Sequence, residues 1–140
     1  MRKLIAIAAV LLSTTAVAQP DKDWWACQAV HASGMYWENN RWVTTTFQKG
    51  PPFVLMSDGN GSLTTESAAK ALRTTVVDGV TCIPDPYGRS RVNCFDLSGG
   101  TMFFDSQAGK GGVSQMIGST DTDTDYRDTV SVSAFECTKG

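Results

Sequence analysis

Few residues in this chain have the types and spacing that catalysis requires. His31 is the only histidine among the 140 residues, so a serine or cysteine nucleophile activated by histidine would have to use it. It falls in a segment that we expect to be a strand, and no G-x-S-x-G motif accompanies it. Most carboxylates lie beside Gly or Thr, where turn formation explains them. The sequence therefore predicts no catalytic residue, and a hydrolase that uses two carboxylates is left open as a minor alternative.

One acidic run resembles the beginning of a calcium-binding loop. Asp121, Asp123 and Asp125 have the alternate spacing with which an EF-hand loop starts. The sixth position of that loop is Tyr126 instead of glycine, and the twelfth is Val132 instead of glutamate. We therefore expect a solvated acidic loop, with no metal site and no cofactor.

The four cysteines are the strongest chemical signal in the sequence. They are Cys27, Cys82, Cys94 and Cys137, and no two of them form the closely spaced C-x-x-C pair typical of zinc and redox sites. Four cysteines allow three connectivities. We expect Cys82 to pair with Cys94, because each follows a valine by two positions and the turn-forming Gly88 lies midway between them, as in a hairpin. Cys27 would then join Cys137 and tie the first strand to the last.

The N-terminal residues predict export. Arg2 and Lys3 precede a continuous apolar stretch, and Ala16–Ala18 supplies the small-x-small pattern that signal peptidase recognises. We place the cleavage at the end of that pattern, so that residues 1–18 are a signal peptide and residues 19–140 are a single secreted domain. The apolar stretch is too short to span a bilayer as a helix. Together with the even number of cysteines, this predicts a periplasmic or secreted protein with two disulfides.

The charge of the mature domain bears on its partners. Removing the two basic residues of the signal leaves ten Lys and Arg against fourteen Asp and Glu, a net charge of −4. No basic stripe runs along the sequence, so nucleic acids and anionic membrane surfaces are poor candidate partners. No later segment is apolar enough to span a membrane, and no linker divides the chain.

The rest of the pattern is that of short strands separated by turns. A helix is predicted over 65–73, where Ala, Leu, Glu and Lys follow a Thr. Over 130–134 two valines and an alanine alternate with two serines, which is the period of a half-buried strand. The glycines of 109–112 are interpreted as a flexible hairpin turn. About seven to nine strands predict an all-β fold, a small antiparallel β-barrel or sandwich. The predicted strands are 24–35, 43–47, 53–56, 74–77, 80–83, 91–95, 101–104, 113–117 and 129–135.

Two surfaces are candidates for binding. Two prolines stiffen the segment between the central cysteines, and the predicted disulfide would close its base. Its Tyr87, Arg89 and Arg91 are of types that contribute strongly at protein interfaces. The alternative is a hairpin tip at which Trp37 and Trp42 would face each other across two strands. Of the four tryptophans, we expect two or three to lie in the core.

One short segment carries a resemblance to a known family. Residues Ser98–Met102 read S-G-G-T-M, which is similar to the S-G-x-x-Y signature of membrane-bound c-type lysozyme inhibitors. Met102 stands where that signature has tyrosine. Size, export, cysteines and a predicted barrel are similar to the small periplasmic lysozyme inhibitors in general. The resemblance implies a β-barrel that binds a lysozyme, and we carry no site residue over from it because the signature is incomplete.

Together these features predict an exported, non-enzymatic binding protein. The leading hypothesis is a module that binds an unidentified protein partner, such as a periplasmic inhibitor or an immunity-type protein. The alternative is a small β-barrel that binds an apolar or carbohydrate ligand. Exposed aromatic residues around the loops would favour the first, and a wide interior cavity would favour the second.

Overall fold

Eight antiparallel strands and one short α-helix make up the part of the chain that the structure describes. The computed structural model describes residues 22–117 and 129–140. The predicted signal peptide and the acidic residues Asp121–Asp128 lie outside these ranges. The strands are β1 (Trp24–Glu38), β2 (Arg41–Thr46), β3 (Phe53–Met56), β4 (Thr81–Pro84), β5 (Arg91–Phe95), β6 (Thr101–Asp105), β7 (Lys110–Ile117) and β8 (Thr129–Lys139), and the helix is α1 (Thr65–Leu72).

All eight strands belong to a single sheet. Its order is β2-β1-β8-β7-β6-β5-β4, and β3 pairs with β1 on the same side as β2. Strand β1 is long enough to serve both neighbours, because Trp24–Cys27 pair with β3 while Ser33–Glu38 pair with β2. A register shift between Ala29 and His31 marks a bulge where β1 pairs with β8. The predicted all-β antiparallel fold with one short helix is confirmed, and it is built from one sheet instead of two.

Both predicted disulfides are present. Cys27 and Cys137 are opposite each other on β1 and β8, and Cys82 and Cys94 are opposite each other on β4 and β5. The Cα atoms of each pair are 4.0 Å apart. The described residues contain no free cysteine. The hairpin geometry that predicted the pairing is therefore correct, since opposite positions on adjacent antiparallel strands point to one face.

One face of the sheet forms the core. Along β5 and β6, Val92, Cys94, Met102 and Phe104 are buried, while the residues between them are exposed. Trp25 packs edge-on against Phe104, with ring centroids 5.2 Å apart. This alternation of buried and exposed residues is what a strand with one covered face requires.

Helix α1 covers part of that inner face. Thr64 caps its N-terminus, because its hydroxyl accepts a hydrogen bond from the backbone N–H of Ser67 at 3.4 Å. Its buried side is formed by Ala68, Ala69 and Leu72, and the small alanines let the helix lie close to β3 and to strands β4, β6 and β7. Within the described residues, no helix is both long and apolar enough to cross a membrane.

Two local predictions are wrong. Residues 74–77 are not a strand, because the backbone N–H of Val76 donates to the Thr74 hydroxyl at 3.2 Å and the chain continues into a 3-10 turn at Val77–Gly79. The turn predicted over the four glycine-rich residues falls at 106–109, and β7 already begins at Lys110. Gly111 lies inside β7, where a larger residue does not fit because its Cβ would be 2.1 Å from the Phe135 ring.

The alternation in β8 is as predicted, but the serines, not the valines, face inward. Phe135 is buried against Phe53, with ring centroids 5.2 Å apart, and Ser131 and Ser133 share its face. Val132 is 53% exposed on the outer face. A shift of β8 by one residue would move Phe135 and the disulfide-bonded Cys137 to the outer face. The register of β8 is therefore set by these two residues, and the serines take the inner face with them.

Candidate functional site

The β4–β5 loop, residues 85–90, is a tight and internally hydrogen-bonded turn. The carboxylate of Asp85 accepts the backbone N–H of Tyr87 at 2.8 Å, and the carbonyl of Asp85 accepts that of Gly88 at 3.1 Å. Gly88 has a φ of 69°, which glycine adopts at little cost. The backbone N–H of Asp85 closes the loop by donating to the carbonyl of Arg91 at 2.8 Å. The loop is therefore folded by local turn hydrogen bonds that its own sequence supplies.

Asp105, at the end of β6, fastens this loop to the neighbouring β6–β7 turn. It accepts the Ser90 hydroxyl at 2.6 Å and the backbone N–H groups of Gln107 and Ala108 at 3.1 and 3.0 Å. The Nε of Arg91 lies 3.5 Å from its second oxygen. The hydrogen bond from Ser90, followed by the backbone bond from Ala108, holds the pKa of the Asp105 carboxyl below its ordinary value. This carboxylate therefore binds two loops together in its ionised form.

Tyr87 is the most exposed aromatic residue at this loop. Its surface is 82% exposed, and the guanidinium of Arg89 lies 5.8 Å from its ring centroid, within the range of a cation–π contact. The structure thus places Tyr87 beside Arg89. Arg91 differs from both, because its guanidinium is paired with Asp105.

Trp37 and Trp42, the tryptophan pair, are opposite each other on β1 and β2. Their ring centroids are 5.4 Å apart in an edge-to-face arrangement, and the rings are 40% and 46% exposed. Trp24 is also 44% exposed, so Trp25 alone of the four is buried and the expectation of two or three core tryptophans is wrong. The three exposed tryptophans are on the outer face of the sheet, whereas the core is on the inner face.

The two predicted binding surfaces lie at opposite ends of the sheet. The β4–β5 loop is at the end where β6 turns into β7, since Arg91, Asp105 and Lys110 follow one another across the strands. The tryptophan pair is at the other end, where β1 turns into β2. The two surfaces therefore cannot form one continuous site.

A cavity is the feature that sequence reasoning missed. It has a volume of about 800 Å³ and opens between β1, β7, β8, the end of α1 and the segment that leads into β3. Phe47, Phe53 and Phe135 form its apolar part, with Ser131 and Ser133 of β8 beside them, and Lys70 and Arg73 lie at its edge. The inward serines of β8 are the signal that could have revealed it, since a strand with serine on its inner face leaves space unfilled.

His31 and Ser98 are the remaining sequence candidates that the structure describes. His31 is exposed and lies opposite Ala134, next to the β1 bulge. Ser98, in the segment similar to the inhibitor signature, uses its hydroxyl to donate to Asp96 at 2.7 Å within the β5–β6 turn. Among residues 22–117 and 129–140 no three His, Cys, Asp or Glu side chains are grouped as metal ligands would be. The acidic run at Asp121 is outside these residues.

Compared with known proteins, the chain matches no family model, no curated protein and no solved structure at a significant level. The resemblance to lysozyme inhibitors therefore depends on the quoted residues and general features alone.

Proposed function

We propose that this protein is an exported, non-enzymatic binding protein that recognises a protein partner through the β4–β5 loop. The supporting observation is that Tyr87 is 82% exposed on a loop in which the backbone N–H groups of Asp85, Tyr87 and Gly88 are all hydrogen-bonded. An exposed tyrosine contributes little to folding, while a fixed loop loses less entropy when it binds. The predicted signal peptide and the two disulfides support a periplasmic or extracellular location.

The loop composition supports a protein partner in particular. Tyrosine and arginine are enriched among the residues that dominate binding energy at protein interfaces. The cation–π contact between Tyr87 and Arg89 orients both side chains before a partner arrives. The hydrogen bond from Ser90 to Asp105 holds the loop itself, and the Cys82–Cys94 disulfide joins the two strands from which it extends. An inhibitor or an immunity-type protein, which presents a rigid loop to an enzyme, fits this arrangement.

The test begins with capture of a partner from an extract of exported proteins, followed by its identification and titration. Tyr87→Ala and Arg89→Ala should each weaken the affinity by about 2 kcal/mol or more. Both variants should keep their free energy of unfolding within about 0.5 kcal/mol of the parent protein, because neither side chain is in the core. Trp42→Ala, at the opposite end of the sheet, is the matched control. Loss of affinity in the control alone would move the interface to the tryptophan pair.

The cavity favours a second function, the binding of a small molecule. Its volume of about 800 Å³ lies within the range typical of ligand sites, and its wall combines three phenylalanines with a few polar groups. This function does not compete with the first, because the cavity and the β4–β5 loop are separate surfaces.

A further inference from the structure

The cavity exists because the strands around it carry small residues on their inner faces. Ala29, Ala32, Ser131 and Ser133 line it from β1 and β8, where a barrel core would have branched or aromatic side chains. Gly34, also on this face, could not be larger, since a Cβ there would be 2.0 Å from the carbonyl oxygen of Val130. Val132, which lies between these serines along β8, is by contrast on the outer face and 53% exposed. The space is therefore built into the sequence of two adjacent strands.

The wall of the cavity has an apolar part and a hydrogen-bonding part. Phe47, Phe53 and Phe135 provide three aromatic surfaces. Ser131 and Ser133 are half-buried and face the cavity, and neither hydroxyl is hydrogen-bonded within the part of the chain that the structure describes. Such a wall fits a ligand with an apolar body and one or two polar atoms.

The edge of the cavity is positively charged. Among the described lining residues there are two cations, Lys70 and Arg73, and no acid. The ammonium of Lys70 is 3.3 Å from the carboxylate of Glu66, so its charge is partly compensated. Arg73 has no carboxylate within ion-pair distance in the ranges that the structure describes. Its guanidinium is therefore the cation available to an anionic ligand.

Arg73 occupies a backbone conformation that would suit glycine better. It ends helix α1 with φ 57° and ψ 33°, in the left-handed region that favours Gly or Asn at this position. Its guanidinium extends over Gly50, where a Cβ would lie 1.6 Å from Nη2. A cation near the end of a helix also stabilises the helix dipole, so the test has to separate that structural role from ligand binding.

We propose that this cavity binds a small amphipathic acid, whose apolar body lies among the phenylalanines while its anionic group pairs with Arg73. The proposal rests on the small-ligand function suggested above and adds the class of ligand and the residue that selects it. A bidentate guanidinium–anion pair at the cavity edge would orient the ligand with its apolar end inward. The serine hydroxyls could then bond to a polar atom along its length.

A pair of fluorescent probes with the same aromatic body tests the charge selection. The anionic probe is 8-anilinonaphthalene-1-sulfonate, and the neutral probe is N-phenyl-1-naphthylamine, which lacks the sulfonate. Each probe is titrated into the mature protein, from which the predicted signal peptide has been removed. The anionic probe should bind at least about tenfold more tightly than the neutral one, as expected for a charge-assisted hydrogen bond. Decanoate should displace it more effectively than decanol.

Variants of the chain separate the roles of charge and space. Arg73→Asn removes the charge and still tolerates a left-handed backbone, so it should weaken the anionic probe about tenfold and leave the neutral probe within about twofold. Arg73→Lys should recover part of the loss. Ser133→Leu fills the cavity and should weaken both probes, whereas Ala134→Leu, one position along on the outer face, is the matched control and should weaken neither. Thermal unfolding of each variant verifies that it is folded. If Ser133→Leu does not fold, the Arg73→Asn measurement alone tests whether the cavity selects an anionic ligand.

The outcomes distinguish this proposal from the small-ligand function beneath it. Equal affinity for both probes, unchanged in Arg73→Asn, would overturn the assignment of an acidic ligand while leaving a small-ligand site in place. Absence of binding for both probes at millimolar concentration would overturn both. Binding that survives Ser133→Leu with the fold intact would place the probes outside the cavity and overturn the proposal as well.

Discussion

Removing the Cys27–Cys137 disulfide should destabilise the protein by about 2 kcal/mol more than removing the Cys82–Cys94 disulfide. The perturbations are two double variants, Cys27→Ala with Cys137→Ala and Cys82→Ala with Cys94→Ala. The two bridges form a matched comparison, because each joins opposite positions on adjacent antiparallel strands with Cα atoms 4.0 Å apart. Each also joins one fully buried cysteine to one that is half-buried. The cost of truncating the side chains should therefore be similar in both.

The difference between them is the length of chain that each closes. The sequence separations are 110 and 12 residues. In the chain-entropy treatment, cross-linking restricts the unfolded state by a term proportional to the logarithm of that length. This gives about 5 kcal/mol for the long loop and about 3 kcal/mol for the short one at 25 °C. The same reasoning predicts a larger urea m-value for the variant without the long bridge, because its unfolded chain expands more.

Urea unfolding followed by tryptophan fluorescence measures both quantities. Trp25 is buried 5.2 Å from Phe104, so its emission should report exposure of the core. Losses equal to within about 0.5 kcal/mol, or a larger loss for the short loop, would refute the loop-closure reasoning. A variant that is already unfolded without urea counts as the larger loss.

Three further predictions concern the sheet and its turns. The pKa of Asp105 is lower in the folded protein than in the unfolded chain, so the ionised carboxylate stabilises the fold fully above the unfolded pKa, and this stabilisation is lost as the pH falls through the folded pKa. An NMR titration of the Asp105 carboxyl should show the lowered pKa, and Ser90→Ala should raise that pKa. Gly111→Ala should cost about 3 kcal/mol in denaturant unfolding, because its Cβ would meet the Phe135 ring and the carbonyl of Phe103. Gly112→Ala should cost less than about 1 kcal/mol, because its Cβ would press only on the exposed Phe103 ring, with the carbonyl oxygen of Ser133 at 3.4 Å. Alanine replacement of either or both members of the tryptophan pair should reveal a coupling of about 1 kcal/mol in a double-mutant cycle, and additive effects would contradict the edge-to-face contact.

Features that depend on neighbouring positions along the chain could be predicted from the sequence. Gly88 midway between Cys82 and Cys94, with a valine two positions before each cysteine, predicts a hairpin and its disulfide, because a turn fixes which residues are opposite each other. The facing of Trp37 and Trp42 across Asn39 and Asn40 follows from the same geometry. Both asparagines have positive φ, as a tight hairpin turn requires.

Features that depend on distant parts of the chain could not be predicted. The period of β8 was evident, but a period does not say which of its two faces is inward. That choice is made by Phe135, which packs on Phe53, and by Cys137, which bonds to Cys27. The cavity follows from the same choice, since it needs the serines of β8 and the alanines of β1 to share a face. The expectation of two or three core tryptophans fails, because residue type alone does not indicate which face of the sheet a side chain occupies.

The positions of the loop and the cavity have a consequence for how the two functions relate. The β4–β5 loop is at the end of the sheet where β6 turns into β7. The residues that line the cavity on β7 and β8 extend toward the other end of the sheet, as far as Gln115 and Thr129, and no residue of the β4–β5 loop is among them. A partner on the loop would therefore leave the cavity accessible, and a ligand in the cavity would not contact Tyr87. Because coupling between separate sites needs an element with two arrangements, and the loop is held in one by Asp105, we expect the two binding events to be independent.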